Sequence, residues 1–461
     1  MGIFGAMTTA VSGLKAQSYA MENISGNIAN SRTTGFKRLD TSFVDLVSDR
    51  PPRQELAGSV RGFSQATNTI QGDLSNTGVA ENIALNGTGF FVVRERTGYA
   101  GGVPTFGGID VYTRRGDFER DNSGYIVNGA GYYLKGVPLD PANGAMQGPT
   151  PQLIRISEAN VAPKRTDNID YGATLPQFPE TNYSRTSSNP LDPNNGLLSS
   201  GGALPANPAT ISTAQNQAFL DRSIQGGSIT IYNDQGAAKP LNLRWGKVQN
   251  ASITPPLAAE QWNLYYQDNT LPSTPSWVRA GTTYTFNTSG LPNPPQNAIL
   301  PAFTIDGVPY NGLTINTGSL QSFPAEDVAA NRTLADVSQI QQDGYASGQF
   351  QSISIDRAGR VVGNYTNGQV IGLAQIVVAQ FAADNALKRR DGGVFEGTLE
   401  SGPPIIEQAG SNLIGGTVEN SNTDIADEFS KMIVTQQAYS ANTRVISTSS
   451  DMLRDVINII R

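Results

Sequence analysis

The sequence predicts a mainly β protein with long terminal α-helices, in which the N- and C-terminal helices pair as a coiled coil. Both ends of the 461-residue chain are rich in helix formers and free of proline, over 1–50 and 405–461. Between them, short apolar segments alternate with turn residues, and 22 of the 27 prolines lie from Pro138 to Pro324. Because the chain is too long for one ordinary core, we expect β domains built from discontinuous segments, with a large β insertion.

The N-terminal helix is predicted over 1–30 from positions that alternate in steps of four and three. One position of this stripe, Gln17, is polar, and the apolar ones are Ile3, Met7, Ala10, Leu14, Met21, Ile24 and Ile28. Such a stripe buries itself against a partner helix, so we assign these residues to assembly. Gly13 and Gly26 weaken the helix by about 1 kcal/mol each relative to alanine. The helix is therefore expected to need partners.

The C-terminal helix is predicted over 424–461, with a start signalled by Ser421-x-x-Asp424. Acidic residues crowd its first turn, while Arg444 and Arg454 lie further along, as the helix dipole favours. The apolar positions assigned to assembly are Ile425, Phe429, Met432, Tyr439, Ile446, Leu453, Ile457 and Ile460. Two interpretations remain open, a terminal assembly module or helices that pack on their own β domain.

Between the helices we predict a linker, or extended subunit-contact segment, over 31–75 and an inner β domain from 76–150 and 345–423. Two turns of the pattern Asp-x-x-Gly, at Asp121 and Asp356, each lead into an apolar strand. They indicate related hairpins or a chance similarity. Residues 151–344 are predicted to form the outer β insertion, as one or two lobes.

Composition excludes most enzyme chemistry. The chain has no cysteine and no histidine, which removes thiol nucleophiles, histidine acid–base catalysis and Cys/His metal sites. We therefore assign no catalytic, metal or cofactor-binding residues and expect no cofactor. The net charge of −7 argues against nucleic acid as a partner. The longest apolar stretch, 371–381, is too short for membrane insertion, and no cleaved signal peptide is recognised.

Specific residues then identify a family. The segment Met21–Lys37 resembles the N-terminal signature of bacterial flagellar rod and hook proteins, with Asn27, Ala29, Asn30, Gly35 and Phe36 as its motif. Two further segments resemble the same family and follow in its order, Leu85–Val93 and the tail that runs from Glu419 through Met432–Tyr439. Segments Ser352–Asp356, Gly359–Gly363 and Leu373–Val378, with the long insertion, are similar to the hook branch.

The resemblance implies a self-assembling helical homopolymer, a curved flexible tube with terminal helices inside and β domains outside. It would act as a universal joint that transmits torque from rod to filament in motility. Implied partners are the distal rod protein, the hook cap or scaffolding protein, the hook–filament junction protein and the flagellar export apparatus. The implied location is the basal body and hook, outside the cell, after export without a cleaved signal peptide.

Three alternatives stay open at this stage. The first is a distal rod protein, a rigid driveshaft of the same family. The second is a surface binding module or adhesin, with Trp245, Trp262 and Trp277 of the insertion as a binding platform. The third is a carboxylate hydrolase hidden in the insertion. Tryptophans buried in a core are the more ordinary outcome.

Overall fold

The computed structural model describes most of the chain. The described residues are 3–46, 59–141, 143–189, 192–202, 204–252, 258–268, 276–322, 332–333, 335–408 and 412–459. Within them the α-helices are α1 (Ile3–Ala29), α2 (Asn182–Thr186), α3 (Asn216–Arg222) and α4 (Ile425–Ile459). Short 3-10 turns occupy Pro193–Gly196, Ser200–Gly202, Thr213–Gln215 and Asp384–Ala386.

The strands are numbered in chain order. The first ten are β1 (Leu39–Leu46), β2 (Ser59–Ala66), β3 (Leu74–Asn76), β4 (Ile83–Leu85), β5 (Phe90–Ala100), β6 (Val103–Thr113), β7 (Phe118–Arg120), β8 (Ile126–Asn128), β9 (Tyr132–Pro138) and β10 (Gln152–Leu153). The next are β11 (Asn168–Leu175), β12 (Phe178–Pro179), β13 (Thr210–Ile211), β14 (Ile224–Tyr232), β15 (Ala238–Gln249), β16 (Glu260–Asp268), β17 (Ser276–Arg279), β18 (Tyr284–Phe286), β19 (Ala298–Leu300), β20 (Phe303–Ile305), β21 (Val308–Tyr310), β22 (Leu313–Ser322), β23 (Arg332–Thr333) and β24 (Asp336–Gln342). The last are β25 (Phe350–Ile355), β26 (Arg360–Tyr365), β27 (Val370–Gln380), β28 (Lys388–Arg390), β29 (Val394–Glu396), β30 (Ile405–Gln408), β31 (Leu413–Gly415) and β32 (Thr417–Glu419).

The chain folds into two compact units. The first combines 1–159, 350–365 and 370–461, and the second combines 160–349 and 366–369. The mainly β fold, the helix at each end and the discontinuous β domain confirm the predicted fold class. The terminal helices fall within the same unit as the inner strands.

The first unit is built around a sheet whose main path runs β25-β26-β27-β9-β5-β6-β29-β28. Strand β27, from the C-terminal half of the chain, pairs antiparallel with both β9 and β5. The near-continuous apolar sequence of β27 fits this central position, because its residues from Ala374 to Ala379 are all buried. Pairs β3–β32 and β4–β31 also join N-terminal to C-terminal strands.

The two Asp-x-x-Gly segments form the same turn. In the β7–β8 hairpin, Asp121 Oδ1 accepts hydrogen bonds from the Ser123 and Tyr125 amides, at 2.9 and 2.8 Å. In the β25–β26 hairpin, Asp356 Oδ1 accepts from the Ala358 and Arg360 amides at 2.9 Å. Both turns place their glycine at positive φ, which glycine adopts without strain. The sequence similarity therefore marks a shared hairpin geometry.

Residues 31–75, predicted as a linker, contain an antiparallel hairpin of β1 and β2. The hairpin lies on α1: Asn23 Nδ2 donates to Thr41 Oγ1 at 2.8 Å, and Tyr19 and Ser64 share a hydrogen bond of 2.8 Å. The α1 backbone passes close to β2 here, since a Cβ added to Gly62 would be in van der Waals contact with the Ala16 carbonyl oxygen, at 3.4 Å. The segment is thus fastened to the helix of its own chain over its described part.

The second unit, the insertion, contains a four-stranded sheet, β19-β22-β11-β24, and a larger sheet along β13-β17-β16-β15-β14. Its main core takes residues from both sheets, including Trp245 and Trp262, which are fully buried. Trp277 is buried in a second cluster with Phe219 and Tyr265. All three tryptophans are therefore core residues and do not form an exposed binding platform.

Helix α4 begins as the sequence indicates, with a different capping residue. Asp424 Oδ1 accepts hydrogen bonds from the amides of Ala426 and Asp427, at 2.8 and 3.3 Å, which makes Asp424 itself the N-cap. Ser421 Oγ instead accepts from the Thr423 amide at 3.2 Å, before the helix. Among the described residues, no helix has both the length and the apolar character needed to cross a membrane.

Candidate assembly site

Helices α1 and α4 pair antiparallel, as two contacts establish. Asn27 Nδ2 donates to Glu428 Oε2 at 2.9 Å. Further along, a Cβ added to Gly13 would lie 3.0 Å from the side chain of Asn442. Moving toward the N-terminus on α1 therefore moves toward the C-terminus on α4, over about 21 Å of each helix. The predicted pairing of the two chain ends is confirmed.

The buried face of α1 consists mostly of small residues. Its members are Ala10, Gly13, Ala16, Ala20, Ile24 and Asn27. Of the residues predicted for assembly, Ala10 and Ile24 belong to this face, whereas the others are half-buried: Ile3, Met7, Leu14, Met21 and Ile28. Small side chains allow α4 to approach closely, so Gly13 is part of the contact although its effect on helix propensity is unfavourable.

Helix α4 buries polar residues and exposes apolar ones. Glu428, Thr435 and Ser449 are buried, and Asn442 is half-buried, which gives a polar seam with a spacing of seven residues. The predicted apolar positions that remain exposed are Ile425, Phe429, Tyr439 and Ile457. Met432, Ile446 and Leu453 are half-buried, and Ile460 lies outside the described residues. Ile433 and Val434, which the stripe omitted, are 55% and 65% exposed.

The family motif closes the end of α1. Asn27 is buried, and its side chain bonds both the amide and the carbonyl oxygen of Leu39, each at 2.9 Å, in addition to Glu428. Asn30 follows the helix and donates from Nδ2 to the Gly26 carbonyl oxygen at 2.9 Å. Ala29 is the last helical residue and is exposed. Asn27 thus ties together α1, β1 and α4.

Gly35 and Phe36 lie where the chain leaves the helix. Gly35 has φ of 67°, and an added Cβ would meet the Arg114 and Arg115 backbone at 2.6 to 2.8 Å, so both conformation and space require glycine. Its amide donates to the Glu419 carbonyl oxygen at 2.7 Å. The Arg389 guanidinium lies 4.8 Å from the centre of the Phe36 ring.

Three buried charged residues adjoin this point, and we call Lys37, Arg114 and Glu419 the terminal clasp. Lys37 Nζ donates to Glu419 Oε1 at 2.5 Å, and Arg114 Nη1 donates to Oε2 at 3.2 Å. Their side chains are 1%, 4% and 0% exposed. Arg114 also donates to the carbonyl oxygens of Leu85 and Gly87. Charges this deep persist only when paired and hydrogen-bonded.

Asn422 adds hydrogen bonds between neutral groups at the same junction. Its Oδ1 accepts from the Arg38 amide at 2.7 Å, and its Nδ2 donates to the Ile70 carbonyl oxygen at 3.1 Å. The Asn422 amide donates to the Phe36 carbonyl oxygen at 3.2 Å. The Gly72 amide donates to Glu419 Oε1 at 2.9 Å. Hydrogen-bond donors and acceptors of the main chain and side chains at one chain end are therefore paired with those of the other end.

Burial dominates the electrostatics of the clasp. Desolvation lowers the pKa of Lys37 and of Arg114, although the Glu419 carboxylate acts in the opposite direction on both. At the start of α4, the hydrogen bond from Lys431 lowers the pKa of the Asp427 carboxyl. Lys431 Nζ also lies 3.3 Å from Asp40 of β1. Within the described ranges, no cluster of three or more potential ligand side chains could hold a metal ion.

Sequence reasoning missed the clasp. Lys37 was within the recognised motif and Glu419 within the recognised tail, but their charges carry no periodic signal, and 382 residues separate them. Arg114 belongs to no quoted segment. The polar seam of α4 did carry a signal, the recurrence of Glu428, Thr435, Asn442 and Ser449 every seven residues.

Three family models match the chain at the elements that form this site. A flagella basal body rod protein model matches 7–37, a flagellar hook protein FlgE/F/G D1 domain model matches 84–169, and a flagellar basal body rod FlgEFG protein C-terminal model matches 414–459. The flagellar hook protein FlgE of Salmonella typhimurium is 29% identical, and the alignment covers 98% of both chains. That of Brucella suis is 28% identical over the full length of both.

The chain is similar to flagellar hook proteins along its whole length. Full-length agreement with hook proteins, insertion included, favours this branch over the rod proteins. In three dimensions the chain is similar to a flagellar hook protein of Helicobacter pylori, FlgE2, with a TM-score of 0.50 at 15% identity, over 75% of this chain and 99% of that one. This likeness concerns the fold. Two of the family models match the chain where the terminal helices form, over 7–37 and 414–459.

Proposed function

We propose that this hook protein polymerises through α1 and α4 into the curved, flexible tube that joins the flagellar rod to the filament and transmits torque. The observation that carries the proposal is the outward apolar face of α4. Phe429 is 50% and Ile433 55% exposed, one helical turn apart, while the seam facing α1 is polar. A soluble helix that exposes its apolar residues and buries its polar ones is complete only when further chains cover it.

The polymer requires no covalent chemistry, so we propose that the chain is not an enzyme. The proposed partners are further copies of the chain, the distal rod protein, the hook cap or scaffolding protein and the hook–filament junction protein. Delivery by the flagellar export apparatus, without a cleaved signal peptide, would place the tube outside the cell. These assignments rest on the names of the relatives and on the exposed face of α4.

The test is to place charge on that face without weakening the helix. In the double variant Phe429→Lys/Ile433→Glu, the new side chains are four residues apart and can form a helix-surface ion pair. Because both positions are exposed, we expect an unchanged monomer by circular dichroism. Electron microscopy should reveal no tubes, since each copy would have to bury charge to assemble.

The matched control is Thr443→Lys/Ser447→Glu, the same ion pair at exposed polar positions of the same helix. The control is expected to retain tubes, which separates lost apolar contact from added charge. Tubes of normal length from the Phe429/Ile433 variant would contradict the proposal. Straight instead of curved tubes from the unmodified chain would favour the rigid rod role.

A further inference from the structure

The terminal clasp couples the two chain ends in a way that pairing of the helices does not require. Its anion, Glu419, comes from the C-terminal part of the chain, and one of its cations, Lys37, comes from the N-terminal part. Arg114 lies in the inner β domain, and its guanidinium bonds Glu419 and the carbonyl oxygens of Leu85 and Gly87. The N-terminal segment, the connection after β6 and the end of β32 each contribute one charge to this buried site.

We propose that the clasp is a two-ended lock, in which neither chain end docks on the inner β domain unless the other is also docked. Without the C-terminal segment, Lys37 and Arg114 would be two buried cations without the carboxylate that they hydrogen-bond, and the Asp384 carboxylate would act on Arg114 only through space. Without the N-terminal segment, Glu419 would keep Arg114 but lose Lys37 and the Gly72 amide. Removing one partner from a buried ion pair costs about 3–5 kcal/mol. Docking of one end therefore raises the affinity of the site for the other.

The main chain contains a reporter for each end. The Gly35 amide, on the N-terminal side, donates to the Glu419 carbonyl oxygen. The Asn422 amide, on the C-terminal side, donates to the Phe36 carbonyl oxygen. Each amide is protected from hydrogen exchange only while the opposite end is in place. Coupling between two binding events is reciprocal, so a lock must expose both amides together.

The lock goes beyond the proposed function, because it concerns one chain and can be measured without polymer. For assembly, the lock would distinguish complete chains from incomplete ones. A chain that lacks one end would not dock the helix of its other end. The exposed face of α4 would then be oriented only in intact chains. The result of the tube assay on the α4 variants does not bear on the lock. The result of the exchange experiment on the clasp variants does not bear on the proposed function.

The experiment is hydrogen exchange on the full-length chain and on Glu419→Gln and Lys37→Met. Both variants keep the approximate size of the side chain and remove one charge. We expect each to accelerate exchange at Gly35 and at Asn422 by a similar factor, about 100-fold, as a loss of roughly 3 kcal/mol gives. The double variant should lose less than the two single losses combined, because neither residue of the Lys37–Glu419 pair then leaves the other as an unpaired buried charge.

Controls are Glu407→Gln and Lys388→Met, the same changes at exposed positions of the same unit, which should leave both amides protected. Faster exchange at one reporter alone would overturn the proposal, as would rapid exchange at both in the unmodified chain. Equal loss of protection in the β25–β26 hairpin would also overturn it, because the clasp would then stabilise the whole unit instead of joining two ends.

Discussion

The terminal helices and the insertion differ in which kind of side chain they bury. The insertion hides its large apolar side chains, with Trp245 and Trp262 fully buried, and is a compact unit by itself. Helix α4 hides Glu428 and leaves Phe429 half exposed. Apolar burial is the main favourable term in folding. The comparison teaches that the insertion buries its own large apolar side chains, whereas α4 leaves such side chains exposed, as the proposed polymer would require.

The largest expected effect that tests this contrast is truncation of a core tryptophan. Trp262→Ala should destabilise the insertion by about 3–5 kcal/mol, because a large cavity remains and Glu260 loses the indole N–H. Urea unfolding followed by the fluorescence of the remaining tryptophans measures it. Phe429→Ala on α4 is the counterpart, and the monomer should change by less than about 0.5 kcal/mol. Equal losses in the two variants would break the contrast.

The buried ion pair of the insertion gives the next effect. Lys247 Nζ lies 2.8 Å from Glu260 Oε1, and their side chains are 0% and 8% exposed. Lys247→Met should cost about 3 kcal/mol, since Glu260 is left as a buried charge. Adding Glu260→Gln should restore part of the stability, because the glutamine oxygen can still accept from Trp262 while its NH2 group can donate to the Ser322 hydroxyl oxygen. The midpoint of urea unfolding measures both effects. A double variant that is less stable than the single variant would contradict this account.

Alkali should act on the insertion through its buried tyrosines. Desolvation raises the pKa of Tyr265 to about 12, and its hydroxyl donates to the Pro208 carbonyl oxygen at 2.7 Å. A raised folded pKa contributes stability below the ordinary value of 10.0, and that contribution is lost as pH rises to about 12. Tyr265→Phe should cost about 1–2 kcal/mol at neutral pH. It should also flatten the alkaline decline, and an unchanged pH profile would contradict the assignment.

The smallest expected effects distinguish two glycines of α1. Gly26 has no atom within 4 Å of an added Cβ, whereas at Gly13 the Asn442 side chain is at 3.0 Å. Gly26→Ala should stabilise the helix by up to about 1 kcal/mol. Gly13→Ala should lose that gain because the helices must separate. Thermal unfolding followed by circular dichroism compares them, and equal stabilisation would mean that Gly13 does not set the helix distance.

The sequence was sufficient for the fold class because it depends on periodic patterns. Where the described residues allow a comparison, at Ala29 and Asp424, the helix ends differ from the predicted bounds by one residue, and the turns at Asp121 and Asp356 were recognised from their shared residues. Periodicity did not indicate whether an apolar stripe faces the helix of its own chain or another chain. In the single chain, Phe429 and Ile457 of the predicted stripe are exposed.

The assembly site was less predictable because it depends on long-range polar pairing. Asn27 was singled out by resemblance, without its partner Glu428, which is 401 residues away. A carboxylate on a helix is expected to be solvated unless the fold is known. The same limit applies to Arg114, whose burial follows from its place directly after β6. No amount of local pattern places three such charges together.

The bond between Asn27 and Glu428 has a further consequence for register. A slip of one heptad between α1 and α4 would separate Asn27 from Glu428, and in one direction it would bring the buried Glu428 carboxylate opposite Ala20, which cannot satisfy it. One axial alignment is therefore selected inside every copy of the chain, at some cost in stability. Copies that share one alignment are geometrically interchangeable, and interchangeable building blocks are what a long, regular lattice requires.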